Sequence, residues 1–227
     1  MIQKQLIELI QQHHTDIGET ELRFALNRAK DDFCAKTEII VNSWVQTSTA
    51  GQRYYPLDSE VLRVKEVQIN DVVIPRLIGR PIIDDDEYDA AVGLTAGSST
   101  SNERYWFIEN DKLGVVEKVS SAITRDGKQS DYQSISEAKE IRVIAVAKDT
   151  DFGESLSQTS AIPSQFQEAL VFKVIADLML RSGSTTFNPE LSNLFEAKYM
   201  QLTKDAKKYA RDGKIHAGAA VIRPTDF

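Results

Sequence analysis

Residues 163–211 carry the densest hydrophobic signal of the chain, and it falls at helical spacing. Phe166, Ala169, Leu170, Val171, Phe172, Val174, Ile175, Ala176, Leu178, Met179 and Leu180 leave only a narrow polar strip through Lys173, Asp177 and Arg181. A helix of that composition is buried on nearly all sides. Pro163 and a Ser-x-x-Gln box (Ser164, Gln167) predict its start, and Ser182-Gly183 predicts its end. A second helix opens at Asn188-Pro189-Glu190, an N-cap followed by proline at the first helical position. Its apolar stripe is Leu191, Phe195, Tyr199, Leu202, Ala206 and Tyr209. Lys207, Lys208 and Arg211 close the predicted last turn, where cations suit the helix dipole, and Gly213 is the expected stop. One amphipathic helix cannot cover an almost wholly apolar one. Other helices of the chain, or neighbouring copies of it, must complete the burial.

Two further helical patterns stand at the start of the chain. Ile2, Leu6, Leu9 and Ile10 mark the first, over residues 2–12. Leu22, Ala25, Leu26, Ala29 and Phe33 mark one face of the second, over about residues 20–35, with Glu21, Arg23, Arg28, Lys30 and Asp31 expected mostly elsewhere. The middle of the chain changes period. Residues 39–46 are β-branched and aromatic, and Ala50-Gly51 is expected to turn them back into Gln52-Arg53-Tyr54-Tyr55. Residues 61–69 and 72–74 flank Asn70-Asp71, and residues 104–108 and 112–116 flank Asn110-Asp111. Both are hairpin signals. Residues 120–138 are polar and read as an exposed excursion, and residues 140–147 as a final strand. The predicted fold is α+β: a helical bundle (1–37 with 160–212), a projecting, inserted antiparallel β domain (38–148) of about six short strands, a linker (149–159) and an extended C-terminal arm (213–227).

Composition narrows the function. With 227 residues and 41 % apolar content a sizeable core is available. The net charge of -7 disfavours a general basic nucleic-acid surface but leaves room for a local patch. The single cysteine, Cys34, excludes an internal disulfide and reads as a small buried residue in a reducing compartment. No apolar signal segment or membrane-length stretch is present, so the expectation is a protein that is intracellular when made, with no membrane partner.

Candidate chemistry is sparse. There is no Gly-rich phosphate loop, no Gly-x-Ser-x-Gly and no Cys-x-x-Cys, and nothing argues for an enzyme, a cofactor or a metal. His13 and His14 are adjacent, cannot face one metal as an i, i+4 pair would, and read as surface residues. The run Asp84-Asp85-Asp86-Glu87 reads as a solvated loop, because consecutive carboxylates repel one another. Asp149-x-Asp151-x-Gly153-Glu154 echoes a calcium loop faintly, but Ser160 stands where the bidentate Glu belongs. Tyr105, Trp106 and Phe107 suggest base stacking, yet too few basic residues accompany them, and sheet packing is the reading.

The order of elements resembles the head–tail adaptor (connector) proteins of tailed bacteriophages. The likeness lies in the terminal helices, in Ala50-Gly51-Gln52-Arg53-Tyr54-Tyr55-Pro56-Leu57-Asp58 followed by Val61-Leu62-Arg63-Val64, in Arg104-Tyr105-Trp106-Phe107-Ile108, and in Ile162-Pro163-x-x-Phe166-x-x-Ala169-Leu170. It covers most of residues 1–211, with 120–138 standing as an insertion against the pattern. The resemblance implies a non-catalytic virion protein at the tail vertex. It would form a homo-oligomeric ring, usually a dodecamer, dock on the portal protein, and extend the DNA channel. Genomic DNA would pass without specific binding, and the next tail protein would find its platform there. It also implies that the C-terminal arm reaches the portal or a neighbouring subunit, through Ile215, Ala219, Val221, Ile222, Arg223 and Phe227. The alternatives are another ring of the tail channel, a stopper or tail terminator, and a monomeric ligand-binding module using Trp44, Trp106 and Tyr54 as a platform.

Overall fold

The computed structural model describes residues 1–77, 103–123, 129–181 and 187–217. It is an α+β protein, with helices from both ends of the chain flanking an antiparallel β region. The chain divides into two compact units, Met1–Val41 with Val146–Phe227, and Asn42–Ala145.

The first unit is helical: α1 (Gln3–Gln11), α2 (Glu19–Thr37), a 3-10 turn (Ser164–Phe166), α3 (Glu168–Met179) and α4 (Pro189–Ala217). Leu6, Ile7 and Ile10 of α1 and Leu22, Leu26, Ala29 and Phe33 of α2 point into one core with Leu170, Val174, Leu178, Phe195 and Tyr199. α3 packs against α1, α2 and α4, so its apolar girth is covered within one chain and no neighbouring copy is needed for it. Helix ends follow local chemistry in two places. Asn188 Oδ1 accepts the Leu191 N–H at 3.0 Å and caps α4. Glu38 turns left-handed (φ 54°) after α2, and its N–H donates to the Cys34 carbonyl at 2.9 Å.

Elsewhere tertiary context overrides the expected ends. The Ser164–Gln167 box does not form: Gln167 Nε2 donates to the Ile162 carbonyl at 2.7 Å, and the chain enters α3 through the 3-10 turn. α3 stops at Met179 with Leu180 as its C-cap, and Gly183 lies outside the described residues. α4 runs through Gly213 to Ala217. An interior glycine costs only about 1 kcal/mol relative to alanine, and no proline follows until Pro224. The expected extended arm therefore does not begin at 213: residues 213–217 are helical, and 218–227 lie outside the described residues.

Among the described residues the second unit holds eight strands, all but the ends of the first and last within its bounds: β1 (Val41–Thr47), β2 (Tyr54–Pro56), β3 (Val61–Ile69), β4 (Val72–Ile74), β5 (Arg104–Glu109), β6 (Lys112–Ile123), β7 (Gln129–Ser134) and β8 (Glu140–Ala147). One sheet has the order β1-β8-β3-β4, and the other β2-β6-β5 with β7 also paired to β6. Both two-residue hairpin turns form. Asn70 and Asp71 (φ 47° and 63°) and Asn110 and Asp111 (φ 48° and 58°) adopt the left-handed pairs that a type I′ turn needs. The strand pairs Ile69↔Val72 and Glu109↔Lys112 close them. Gly114 lies under the Phe107 ring, and a Cβ there would overlap ring carbon Cζ. Tyr55, Val64, Val67, Ile69, Trp106, Leu113, Val115, Ile135, Ile141 and Val143 form the core.

Two expectations for this region are corrected. β1 and β2 are not a hairpin but lie in different sheets. The turn at Gly51 (φ 80°) instead donates its N–H to the Ile135 carbonyl at 2.9 Å. The polar excursion is largely strand: β6 extends to Ile123, and β7 returns antiparallel, with Lys118↔Tyr132 and Ala122↔Ser130 in register. Its polar sequence hid the ladder, which draws on backbone pairing rather than on an apolar face.

Candidate interaction surfaces

In the helical unit a buried polar seam joins α2 to residues 149–153. Arg23, Asn27 and Lys30 recur at steps of four and three, so they share one helix face. Arg23 Nη1 donates to the Gly153 carbonyl at 3.3 Å. Asn27 holds both backbone groups of Phe152, accepting its N–H at 2.8 Å and donating to its carbonyl at 3.2 Å. Lys30, expected on a solvated face, has a side chain 0 % exposed and lies 3.2 Å from the Asp149 carboxylate, itself 4 % exposed. Its ammonium also donates to the Thr150 carbonyl and sits 3.8 Å above the centre of the Phe152 ring. Asp149 accepts from Ser160 Oγ at 2.6 Å and from the Ala161 N–H at 3.1 Å. Two buried charges are tolerated because each is paired and hydrogen-bonded. This is what became of the faint calcium echo: Asp149 is engaged by Lys30, Ser160 and Ala161. Among the described residues no group of His, Cys, Asp and Glu is placed to hold a metal ion.

Neighbouring groups respond to the same burial. Burial, then the nearby Asp151, pushes the Asp31 carboxyl above its usual range, and its Oδ1 has no hydrogen-bond partner among the described residues. Burial pushes the Cys34 thiol up to about 12, which keeps it protonated and unreactive. Burial also acts to raise Asp32, but hydrogen bonds from Lys36 and Tyr199 outweigh it and leave that carboxyl low. The Tyr199 hydroxyl donates to Asp32 at 2.6 Å. The surface reading of the histidine pair fails for His14, which is fully buried with its pKa lowered first by desolvation. His13 is exposed and packs edge-on against Phe195, ring centres 5.3 Å apart.

In the β unit two clefts flank the turn around Leu57–Val61. One, about 280 Å³, is lined by Trp44, Val45, Leu57, Val61 and Val143. The other, about 450 Å³, is lined by Leu57, Leu62, Arg63, Arg76, Trp106 and Ile108. Trp106 is buried beneath the Arg76 guanidinium, 5.3 Å from its ring centre. Tyr54 lines neither cleft; it donates to Glu109 at 2.8 Å and packs edge-on against Phe107. The aromatic platform Trp44–Trp106–Tyr54 is therefore not assembled.

Apolar side chains do reach solvent elsewhere. Phe24 on α2 is 62 % exposed, and Leu194 and Met200 on α4 are exposed as well. Among the described strands β1 stands at the end of its sheet, contains no charged residue, and exposes Val41 and Val45. An outer strand without charge or proline is an open template for pairing.

The residues expected to bind a partner are not brought together. Ile215 is in the last turns of α4. Ala219, Val221, Ile222, Arg223 and Phe227 lie outside the described residues, as does the acidic run 84–87. No family model matches the chain, and no curated protein matches it.

Proposed function

We propose that the chain is a structural head–tail adaptor of a tailed bacteriophage. Copies form a ring, a dodecamer on the family's pattern, at the tail vertex of the virion. The ring docks on the portal protein, continues the DNA channel and seats the next tail protein. The observation that carries this reading is the layout, in which helices from both ends of the chain build one core and a β unit is inserted between them. The motifs that carry the resemblance fall at working positions of this layout. Ile162, Phe166, Ala169 and Leu170 all enter the helical core, and Tyr55 enters the β core. Support for self-association comes from exposed Phe24, Leu194 and Met200 and from the uncharged outer strand β1. The nearly all-apolar α3 gives none, because its own chain covers it.

The test uses DNA-filled heads that carry a portal but lack this protein. Tagged full-length protein is added and the particles are imaged. The expected result is a ring of tag density directly below the portal, on heads that keep their DNA and acquire tails. Tag density elsewhere on the particle, or heads left unchanged, refutes the reading.

A further inference from the structure

The length of α4 changes the meaning of its cations. Lys204, Lys207, Lys208 and Arg211 are all exposed. At about 100° per residue they fall within an arc of about 100°, and at 1.5 Å per residue they extend over about 10.5 Å of helix. Were the helix to end at residue 213, the dipole would account for them. It continues to Ala217, and the dipole effect is confined to the last turn, which these residues precede. Intrahelical pairing does not account for them either. Among the described residues none of the four makes an ion pair, although Asp205 and Asp212 stand beside the stripe. A protein of net charge -7 thus presents, among the described residues, four cations without an ion pair in one row.

We infer that this face of α4 is a binding surface for the phosphate backbone of duplex DNA, read without regard to sequence. Three of the four residues are lysines, which protein–protein interfaces avoid and phosphate contacts favour. Among the described residues the exposed large hydrophobic side chains near the row are Met200 and Tyr209, and Tyr209 packs its ring on Phe166 of its own chain, centres 5.5 Å apart, so the anchored apolar centre of a protein hot spot is missing. Duplex DNA carries a charge about every 3.4 Å along each strand, so about 10.5 Å of helix runs past about three phosphates of each strand, and engaging all four cations takes phosphates from both strands across a groove. The inference rests on α4 alone and is independent of the ring proposal.

The experiment is fluorescence anisotropy of the full-length protein with labelled 24-base-pair duplexes of two unrelated sequences, between 20 and 200 mM salt. Four phosphate contacts predict a slope of log K against log salt of about -3.6, equivalent to about 150-fold weaker binding at 200 mM than at 50 mM. Both duplexes should bind alike. Lys207→Gln/Lys208→Gln should halve the slope to about -1.8. Lys4→Gln/Lys118→Gln, which removes the same charge elsewhere, should leave it unchanged. Circular dichroism confirms that each variant is folded. No binding at 20 mM salt, or a slope that the Lys207/Lys208 variant leaves unchanged, overturns the inference. So does tighter binding of polyglutamate than of duplex, which would make the stripe a dock for an acidic protein.

Discussion

Replacing Lys30 by methionine tests whether the α2 seam holds the helical unit together. Methionine keeps most of the side-chain volume and removes the charge. Asp149 would then keep Ser160 and Ala161 as donors but remain a buried carboxylate, 4 % exposed, without its cation. The Thr150 carbonyl would lose its donor and the Phe152 ring its cation. Removing one partner of a buried pair costs about 3–5 kcal/mol. With a urea dependence of about 1–3 kcal/mol per molar, the midpoint should fall by about 1–5 M. The helical signal at 222 nm is the right probe, because both tryptophans, Trp44 and Trp106, lie in the β unit. Lys30→Met/Asp149→Asn should recover part of the loss, since asparagine is neutral, its Oδ1 still accepts from the Ala161 N–H, and its amide group can donate to Ser160 Oγ. A loss below about 1 kcal/mol for Lys30→Met, or a double variant no better than the single one, would refute the seam as an energetic element.

Two other perturbations read different parts of the fold. Gly114→Ala places a methyl against the buried Phe107 ring, and overpacking of this kind costs about 1–3 kcal/mol; a tryptophan-monitored unfolding curve identical to that of the parent protein would disprove the close approach. Asp31→Asn should raise the melting temperature at pH 7, because a carboxyl raised above its unfolded value contributes stability that is fully present below the unfolded pKa near 4 and is lost as pH rises on through the raised folded pKa. The gain should shrink at pH 4, and an equal gain at both pH values, or a loss at pH 7, would contradict the burial of that carboxylate.

Sequence alone determined the features whose energetics are local. The α+β class follows from a change of hydrophobic period between the ends and the middle of the chain. Asn70-Asp71 and Asn110-Asp111 specify their hairpins because these residues tolerate the left-handed conformation that a two-residue turn requires. Asn188 followed by Pro189 specifies the start of α4 because the cap bond spans only three residues. Tertiary structure decided whatever depends on partners far along the chain. Lys30 reads as a surface cation until Asp149, 119 positions away, arrives to neutralise it. β1 reads as the mate of β2 until β8 takes its edge. β7 carries no apolar pattern and becomes a strand because β6 offers it a ladder. The cations of α4 were legible as residues, but their role was not. Helix length, decided beyond Gly213, separates charges that satisfy a dipole from charges that await a partner.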